Sequence, residues 1–313
     1  HVLVFGSGIS GIAAARLLLQ EGARVILYDG NTKLDKEQLL QDITGGRHAE
    51  NVQVLLGELP DEVLDTLTLV VISPGVPTDL PIVKAMRAKH LPIWGEIEIA
   101  YTYGKGEVLA ITGTNGKTTT TALLGKIIGD WHPHTFVVGN IGNPYTSVVE
   151  EMPEDSVTVA EMSSFQLETI RTFRPKVSAL LNITPDHLNR HHIAAKKNIA
   201  VNQTEEDTCV LNYEDEVTRA FGEETKAQVL FFSSKRKLDR GIYLEDGSII
   251  YHVGEPVEVC KVDELQILGT HNYENVMAAV AMAAAFGVPM ESIRRSVKAF
   301  GGVEHRIEFV AGK

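Results

Sequence analysis

Cysteine is nearly missing from this chain: Cys209 and Cys260 are the only two in 313 residues. That excludes a disulfide framework and a cysteine-rich metal site, and it fits a reducing compartment, the cytoplasm. Positive charge is also short. Lys and Arg total 29 against 41 Asp and Glu, a formal net charge of −12. This argues against a protein whose main task is to coat nucleic acid or an anionic membrane, while leaving room for a local basic site. No apolar run reaches transmembrane length, no signal peptide is visible, and there are no internal repeats or low-complexity segments. An initiator Met is lacking too. The chain opens with His1-Val-Leu-Val-Phe5, already inside a predicted strand, the expectation for a piece of a longer chain.

What is present is ordinary globular composition, 44% hydrophobic and 22% charged, in a chain long enough for two domains with separate cores. The organising stretch is Ile111-Thr-Gly-Thr-Asn-Gly-Lys-Thr-Thr-Thr-Thr121. An apolar strand from Val108 leads into a glycine-containing turn, and Ala122, Leu123, Leu124, Ile127 and Ile128 then repeat at helical spacing. Strand, tight turn and helix make a phosphate cradle: backbone N–H groups and the helix N-terminus face an anion, Lys117 adds a point charge, and the Thr118 hydroxyl can join a metal shell. The strict Walker pattern is not met, because Ile111 stands where its first glycine belongs; Gly113 lies inside the turn instead. A plain surface turn before a helix is the alternative, and it leaves the Gly-Lys-Thr-Thr-Thr-Thr run without a reason.

Residues 1–93 read as a first α/β domain. A buried strand at Val2–Phe5 precedes Gly6-Ser-Gly-Ile-Ser-Gly11 and an apolar helix, and a second strand ends at Asp29. This is the Gly-x-Gly-x-x-Gly fingerprint with its acid about 20 residues on. Alone it allows NAD or FAD, another diphosphate, or merely a small-residue turn. A short helix near Lys36–Asp42 and strands at Val52–Leu56 and Leu69–Ile72 follow, and Ser73-Pro-Gly-Val-Pro77 lies at the strand edge where open parallel sheets bind ligands. Asp35, Glu58 and Asp61 read as solvated charges.

Residues 94–313 read as a second α/β domain around the phosphate loop, with its loop Gly139-Asn-Ile-Gly-Asn-Pro144 rich in backbone amides. Thr158-Val-Ala160 is a strand running into Glu161. The helix after it can be capped by Ser163 or Ser164 and can pack through Phe165 and Leu167. Val177–Leu181 is followed by Asn182-Ile-Thr-Pro-Asp-His187. A parallel sheet puts Glu161 and His187 at the same edge as the phosphate loop, as direct or water-mediated Mg²⁺ ligands; a helix-start Glu and a surface His are the alternative. Lys196 and Lys197, in a short helix, read as surface lysines on composition. Glu245-Asp-Gly-Ser248 is a hairpin turn. His271, Asn272 and Asn275 open a long Ala-rich helix, where an amide can cap the helix or bond a base or ribose.

Taken together, these motifs resemble the Mur ligases of bacterial peptidoglycan synthesis. The family signal is Thr112-Gly-Thr-Asn-Gly-Lys-Thr-Thr119 with His271-Asn-Tyr-Glu-Asn275 and His305-Arg306, while Glu161-Met-Ser-Ser-Phe-Gln-Leu-Glu168 and Asn182-Ile-Thr-Pro-Asp-His-Leu-Asn-Arg190 are similar to the member that adds D-glutamate. The resemblance implies a Rossmann-like N-terminal domain and a phosphate-loop α/β ATPase domain. It implies ATP-dependent joining of D-glutamate to UDP-N-acetylmuramoyl-L-alanine through an acyl phosphate, with another Mur ligase or a folylpolyglutamate synthase-like ligase as the alternative. Gly113, Thr114, Asn115, Gly116, Lys117, Thr118 and Thr119 would hold ATP, with Asn272, Asn275 and Arg306 about its adenine and ribose. Two Mg²⁺ sites are implied, Thr118 and Glu161 at one, His187 and a carbamylated Lys196 at the other. The first-domain loop would then bind the uridine nucleotide through Gly8, Ile9, Ser10, Asp29, Ser73, Pro74 and Gly75, and Asn140 would orient the muramyl substrate. A monomer is implied, with no nucleic-acid or membrane partner.

Two departures accompany the resemblance. Family members carry about six more residues before the Ala-Ala-Lys helix; a true deletion would shift Lys196 by several ångströms, and a mobile loop left out of the sequence in hand is the simpler expectation. The family also has a third α/β domain that binds D-glutamate and closes over ATP. Lys313 falls where that domain is expected to begin, so residues 1–313 are expected to bind the nucleotides without ligating.

Overall fold

The structure is a computed structural model that describes residues 1–140, 142–184 and 190–303. The chain divides into two compact units, and each is described by itself. The first comprises residues 1–105 together with 143–152 and 168–173. The boundary expected after residue 93 therefore lies inside this unit, which runs on through the helix that follows.

Its elements are β1 (Val2–Phe5), α1 (Ile9–Gln20), β2 (Val25–Asp29), α2 (Lys36–Thr44), β3 (Val52–Leu56), α3 (Asp61–Leu64), β4 (Leu69–Ile72), α4 (Pro81–Ala88), β5 (Ile93–Gly95) and α5 (Glu96–Tyr103). All strands pair in parallel in the order β3-β2-β1-β4-β5. Phe5 pairs with Tyr28 on one side and Ile72 on the other, so the glycine loop, Asp29 and Ser73 leave the sheet at one edge. Strands covered on both faces read as continuous apolar runs, and Leu3, Val4, Leu27 and Val70 are fully buried. Asp35, read as a solvated charge, is the N-cap of α2 and accepts from the N–H groups of Glu37 and Gln38.

Two acids on α5 account for the added segments. Glu98 accepts from the N–H groups of Arg171, Thr172 and Phe173 at 2.8–3.1 Å. Glu96 accepts from Thr146 N–H and Oγ1, both at 2.7 Å. Both carboxylates are buried, and burial pushes the Glu96 carboxyl up, partly offset by the Thr146 bonds. Buried charge persists only where hydrogen bonds replace water, which is why residues far along the chain are fastened here.

The second unit carries β6 (Glu107–Thr112), α6 (Lys117–Trp131), β7 (Thr135–Gly139), β8 (Val157–Glu161), α7 (Ser164–Glu168), β9 (Val177–Leu180), α8 (Arg190–Lys197), β10 (Thr208–Asn212), α9 (Glu216–Glu224), β11 (Gln228–Ser233), β12 (Gly241–Glu245), β13 (Ser248–Val253), β14 (Glu255–Lys261), α10 (Thr270–Phe286) and α11 (Met290–Ala299). The strand order is β14-β13-β12-β11-β10-β9-β6-β8-β7. It is parallel from β12 to β7 and antiparallel across β12, β13 and β14. The hairpin turn is made by Asp246 and Gly247, both at positive φ, the conformation a two-residue turn between twisted strands requires. Leu123, Leu124, Ile127 and Ile128 of α6 are fully buried, each contributing roughly 1.5–3 kcal/mol. They share one core with α10, whose residues from Asn275 to Ala283 are all buried. Among the described residues no helix is long and apolar enough to cross a membrane.

Candidate active site

The register of the second sheet brings several chain segments to one edge. Ile111 pairs with Glu161, Thr112 with Leu180, and Gly139 with Glu161. The phosphate loop, the Glu161 strand end, Asn140 and Asn182 therefore emerge side by side. Gly116 holds φ at +85°, and a Cβ there would lie 2.3 Å from Asn275 Oδ1, so only glycine allows the turn and the close approach together. The first helical bond of α6 runs from Thr120 N–H to Gly116 O. The N–H groups of Lys117, Thr118 and Thr119 precede the ladder, and no side chain caps the helix. Such a terminus is built for an anion.

Asn182 shapes the loop, a role the sequence reading missed. Its Oδ1 accepts from the N–H groups of Thr114 and Asn115 at 3.1 and 2.8 Å, and its Nδ2 donates to Asn115 O at 2.9 Å. Thr184 N–H adds a bond to Thr114 Oγ1 at 3.1 Å. Within the expected cradle, the amides of Thr114 and Asn115 thus hold the loop's shape. The sequence carries no signal for it, because which strand neighbours β6 is set by the sheet order.

Lys117 reaches back to the carbonyls of Gly113 and Thr114 at 2.8 and 3.3 Å. Thr118 Oγ1 donates toward Glu161 at 3.3–3.4 Å. Glu161 is only 2% exposed, and burial pushes its carboxyl up, against the opposing influence of Lys117, Thr118 and Asn140. Asn140 N–H also donates to Glu161 O at 3.0 Å. Lys196 was read on composition as a surface lysine; it is half-buried and its Nζ lies 3.2 Å from Thr114 Oγ1. The shortened junction lies inside α8, and Lys196 is within reach of the loop. Burial and the like charge of Lys117 both lower its pKa. The donor set of Thr118 hydroxyl and Glu161 carboxylate is hard oxygen, which suits Mg²⁺.

Other expected residues sort differently. Ser163 caps α7, its Oγ accepting from Gln166 N–H while Gln166 Oε1 accepts from Ser163 N–H. Leu167 is buried as expected, but Phe165 is 49% exposed. It stands edge-on to His192 at 5.3 Å. Asn275 packs against Gly116. Asn272 does not cap α10; its Nδ2 donates to Leu268 O. His187 and Arg306 lie outside the described residues.

In the first unit, Asp29 Oδ2 accepts from Ser7 N–H and Oγ at 3.0 and 2.6 Å, and Oδ1 from Asn31 N–H at 2.9 Å. Burial would raise this carboxyl, but these bonds outweigh it and hold it below its usual range. A Cβ on Gly11 would lie 1.8 Å from Gly6 O, so the third glycine serves helix–strand packing. Gly8 N-caps α1 without a side-chain bond, Ile9 is 80% exposed, and Ser10 follows on the first turn. Ser73 is buried against the Gly6 carbonyl, with Pro74 and Gly75 continuing the same sheet edge. This is a second helix N-terminus open to an anion.

The fold and this edge define an α/β protein with a phosphate-loop nucleotide site in one unit and a dinucleotide-type glycine loop in the other. Residues 111–283 match the Mur ligase middle domain, and residues 1–95 match the Mur ligase MurD-like N-terminal domain. The chain belongs to the Mur ligase family, whose members are ATP-dependent ligases. Along its whole length it is 55% identical to a UDP-N-acetylmuramoylalanine--D-glutamate ligase of Lachnoclostridium phytofermentans, covering 69% of that protein. It is 53% identical to one of Lachnospira eligens, covering 70% of it. A crystal structure of a murein peptide ligase from Psychrobacter arcticus shares the fold, with a TM-score of 0.63 over 98% of this chain and 69% of the other, at 18% identity.

Proposed function

We propose that this protein joins D-glutamate to UDP-N-acetylmuramoyl-L-alanine at the expense of ATP, in the cytoplasm, as a monomer. The observation that carries the reading is the convergence of Lys117, Thr118, Glu161 and Lys196 on the uncapped start of α6. The relatives named for this reaction supply the identity of the acceptor.

The chemistry begins with like charge meeting like charge, a carboxylate attacking a triphosphate, so both partners need neutralising. In this reading a terminal carboxylate oxygen of the muramyl substrate attacks the γ-phosphorus and ADP leaves. The D-glutamate amine then attacks the acyl carbon and phosphate leaves. Lys117 and the first N–H groups of α6 hold the β- and γ-phosphates. Thr118 and Glu161 hold one Mg²⁺, which supplies further positive charge at the transferring phosphoryl group. Lys196, with its pKa lowered, has more of the neutral amine that carbon dioxide can convert to a carbamate; that anion and His187 would be the ligands of a second Mg²⁺. Asn140 orients the muramyl substrate. Asn275, Asn272 and Arg306 border the adenine and ribose. In the first unit Gly8, Ile9, Ser10, Asp29, Ser73, Pro74 and Gly75 hold the uridine nucleotide.

The test is ADP release by the complete gene product, given ATP, UDP-N-acetylmuramoyl-L-alanine and one amino acid at a time. D-glutamate is expected to support turnover where L-alanine, L-lysine and diaminopimelate do not. Equal turnover with another amino acid, or none with D-glutamate, overturns the assignment.

A further inference from the structure

Away from the nucleotide edge, three side chains with metal-ligating chemistry meet. His132 follows the last residue of α6, His134 immediately precedes β7, and Asp155 lies in the turn before β8. One ligand atom from each lies within 4.8 Å of the others. The Asp155 carboxylate sits between the two rings, with Oδ1 at 2.8 Å from His134 Nδ1 and Oδ2 at 3.6 Å from His132 Nε2. The rings stand almost perpendicular, at 89° with centroids 5.9 Å apart, so they do not stack on one another.

The backbone fixes both histidines. His132 N–H donates to Ile128 O, its carbonyl accepts from Thr135 Oγ1, and His134 O accepts from Val157 N–H. His134 and Asp155 are open to solvent and His132 is partly so, which gives an ion an entry path. Two donors bound tetrahedrally about 2.0 Å from one zinc ion lie about 3.3 Å apart. The two measured separations, one to each carboxylate oxygen, bracket that value. The α6 helix has 15 residues, which places the cluster about 22 Å from the phosphate loop, well clear of Glu161 and Lys196.

We propose that His132, His134 and Asp155 bind one divalent transition-metal ion of the zinc class. Two imidazoles and one carboxylate match that ion's preference, and the fourth position is left for water or the Asp155 carbonyl. The Asp155 carbonyl only accepts, so His132 Nε2 now donates to it at 2.7 Å. On binding, that proton moves to His132 Nδ1 through solvent, the proton that His134 Nδ1 donates to Asp155 Oδ1 moves likewise to His134 Nε2, and the two freed lone pairs go to the metal. No electron is transferred. The ion staples the C-terminal end of the phosphate-loop helix to the starts of β7 and β8, the strand that carries Glu161.

Trp131 supplies a reporter, its ring centroid 6.0 Å from that of His132. The chain, stripped with a chelator, is titrated with Ni²⁺ while tryptophan emission is followed, and with Zn²⁺ by calorimetry. Quenching by one equivalent of Ni²⁺, reversed by Zn²⁺, is expected. His134→Gln and Asp155→Asn, both at exposed positions, are expected to weaken this binding by more than about tenfold with unchanged far-ultraviolet circular dichroism. Ni²⁺ bound near Glu161 survives in these variants and, about 22 Å away along α6, leaves Trp131 unquenched, so the two sites are told apart. Quenching unchanged in both variants, or no quenching in the wild type, overturns the proposal.

Discussion

Glu161 stands where opposing influences meet: burial raises its carboxyl, while Lys117, Thr118 and Asn140 stabilise the carboxylate. The net shift is upward, so protonation on acidification sets in at a higher pH than for a free glutamate. Mg²⁺-dependent nucleotide binding should therefore fall as pH drops through a range above the ordinary value of 4.5. Glu161→Gln should remove that dependence, as read by ATP titrations at a series of pH values. Lys196 shifts the other way, so more of it is neutral amine at neutral pH. Brief cyanate treatment should modify it several-fold faster than the exposed Lys33 and Lys36, as measured by peptide mass spectrometry. Asn182→Ala leaves the bonds to Thr114 and Asn115 unmade. A loss of about 1–3 kcal/mol is expected with weaker ATP binding, read from urea unfolding and nucleotide titration. Lys117, Thr118 and Glu161 were legible in sequence because each adjoins an apolar strand or opens a periodic helix. Asn182 was not, since an amide's partner is set by which strand lies next door.

At the scale of elements, α5 bears most on how the first unit is assembled. Glu98→Ala removes the buried acceptor of three backbone N–H groups, those of the exposed Arg171 and Thr172 and the buried Phe173. A destabilisation of about 3 kcal/mol is expected, visible as a lower urea midpoint. Glu96 has a raised pKa when folded, so its stabilising contribution is fully present below pH 4.5, the carboxyl's ordinary value, and is lost as pH rises through the folded value. The stability of Glu96→Gln relative to wild type should therefore grow with pH across that window. The sequence showed α5 as a helix but not that its acids are buried, because the residues receiving them lie tens of positions later. The helices α6 and α10 and the β12–β13 hairpin were legible from apolar periodicity and the Asp-Gly turn. By contrast α9 and β14 went unread. The first is short and carries three acids in nine residues, and the second is an edge strand with a proline and mostly exposed side chains, where alternation is weak.

For the whole molecule, the α/β class and the presence of two cores followed from strands alternating with helices. The composition of the first unit did not, because segments 143–152 and 168–173 join it by tertiary contact alone. Nor did the glycine loop decide its own ligand, for the same turn geometry suits NAD, another diphosphate or none. The ligand class is set instead at the second unit's edge, where a buried carboxylate, a hydroxyl and two lysines surround one helix start. Its most direct test is titration of ATP into the 313-residue chain with and without Mg²⁺, in wild type, Lys117→Ala and Glu161→Gln. The account predicts saturable binding that weakens more than about tenfold in Lys117→Ala, where a charge-assisted contact worth about 1.5–3 kcal/mol is lost, and that loses its Mg²⁺ dependence in Glu161→Gln. Binding equally tight in all three, or equally dependent on Mg²⁺ without the Glu161 carboxylate, would contradict it.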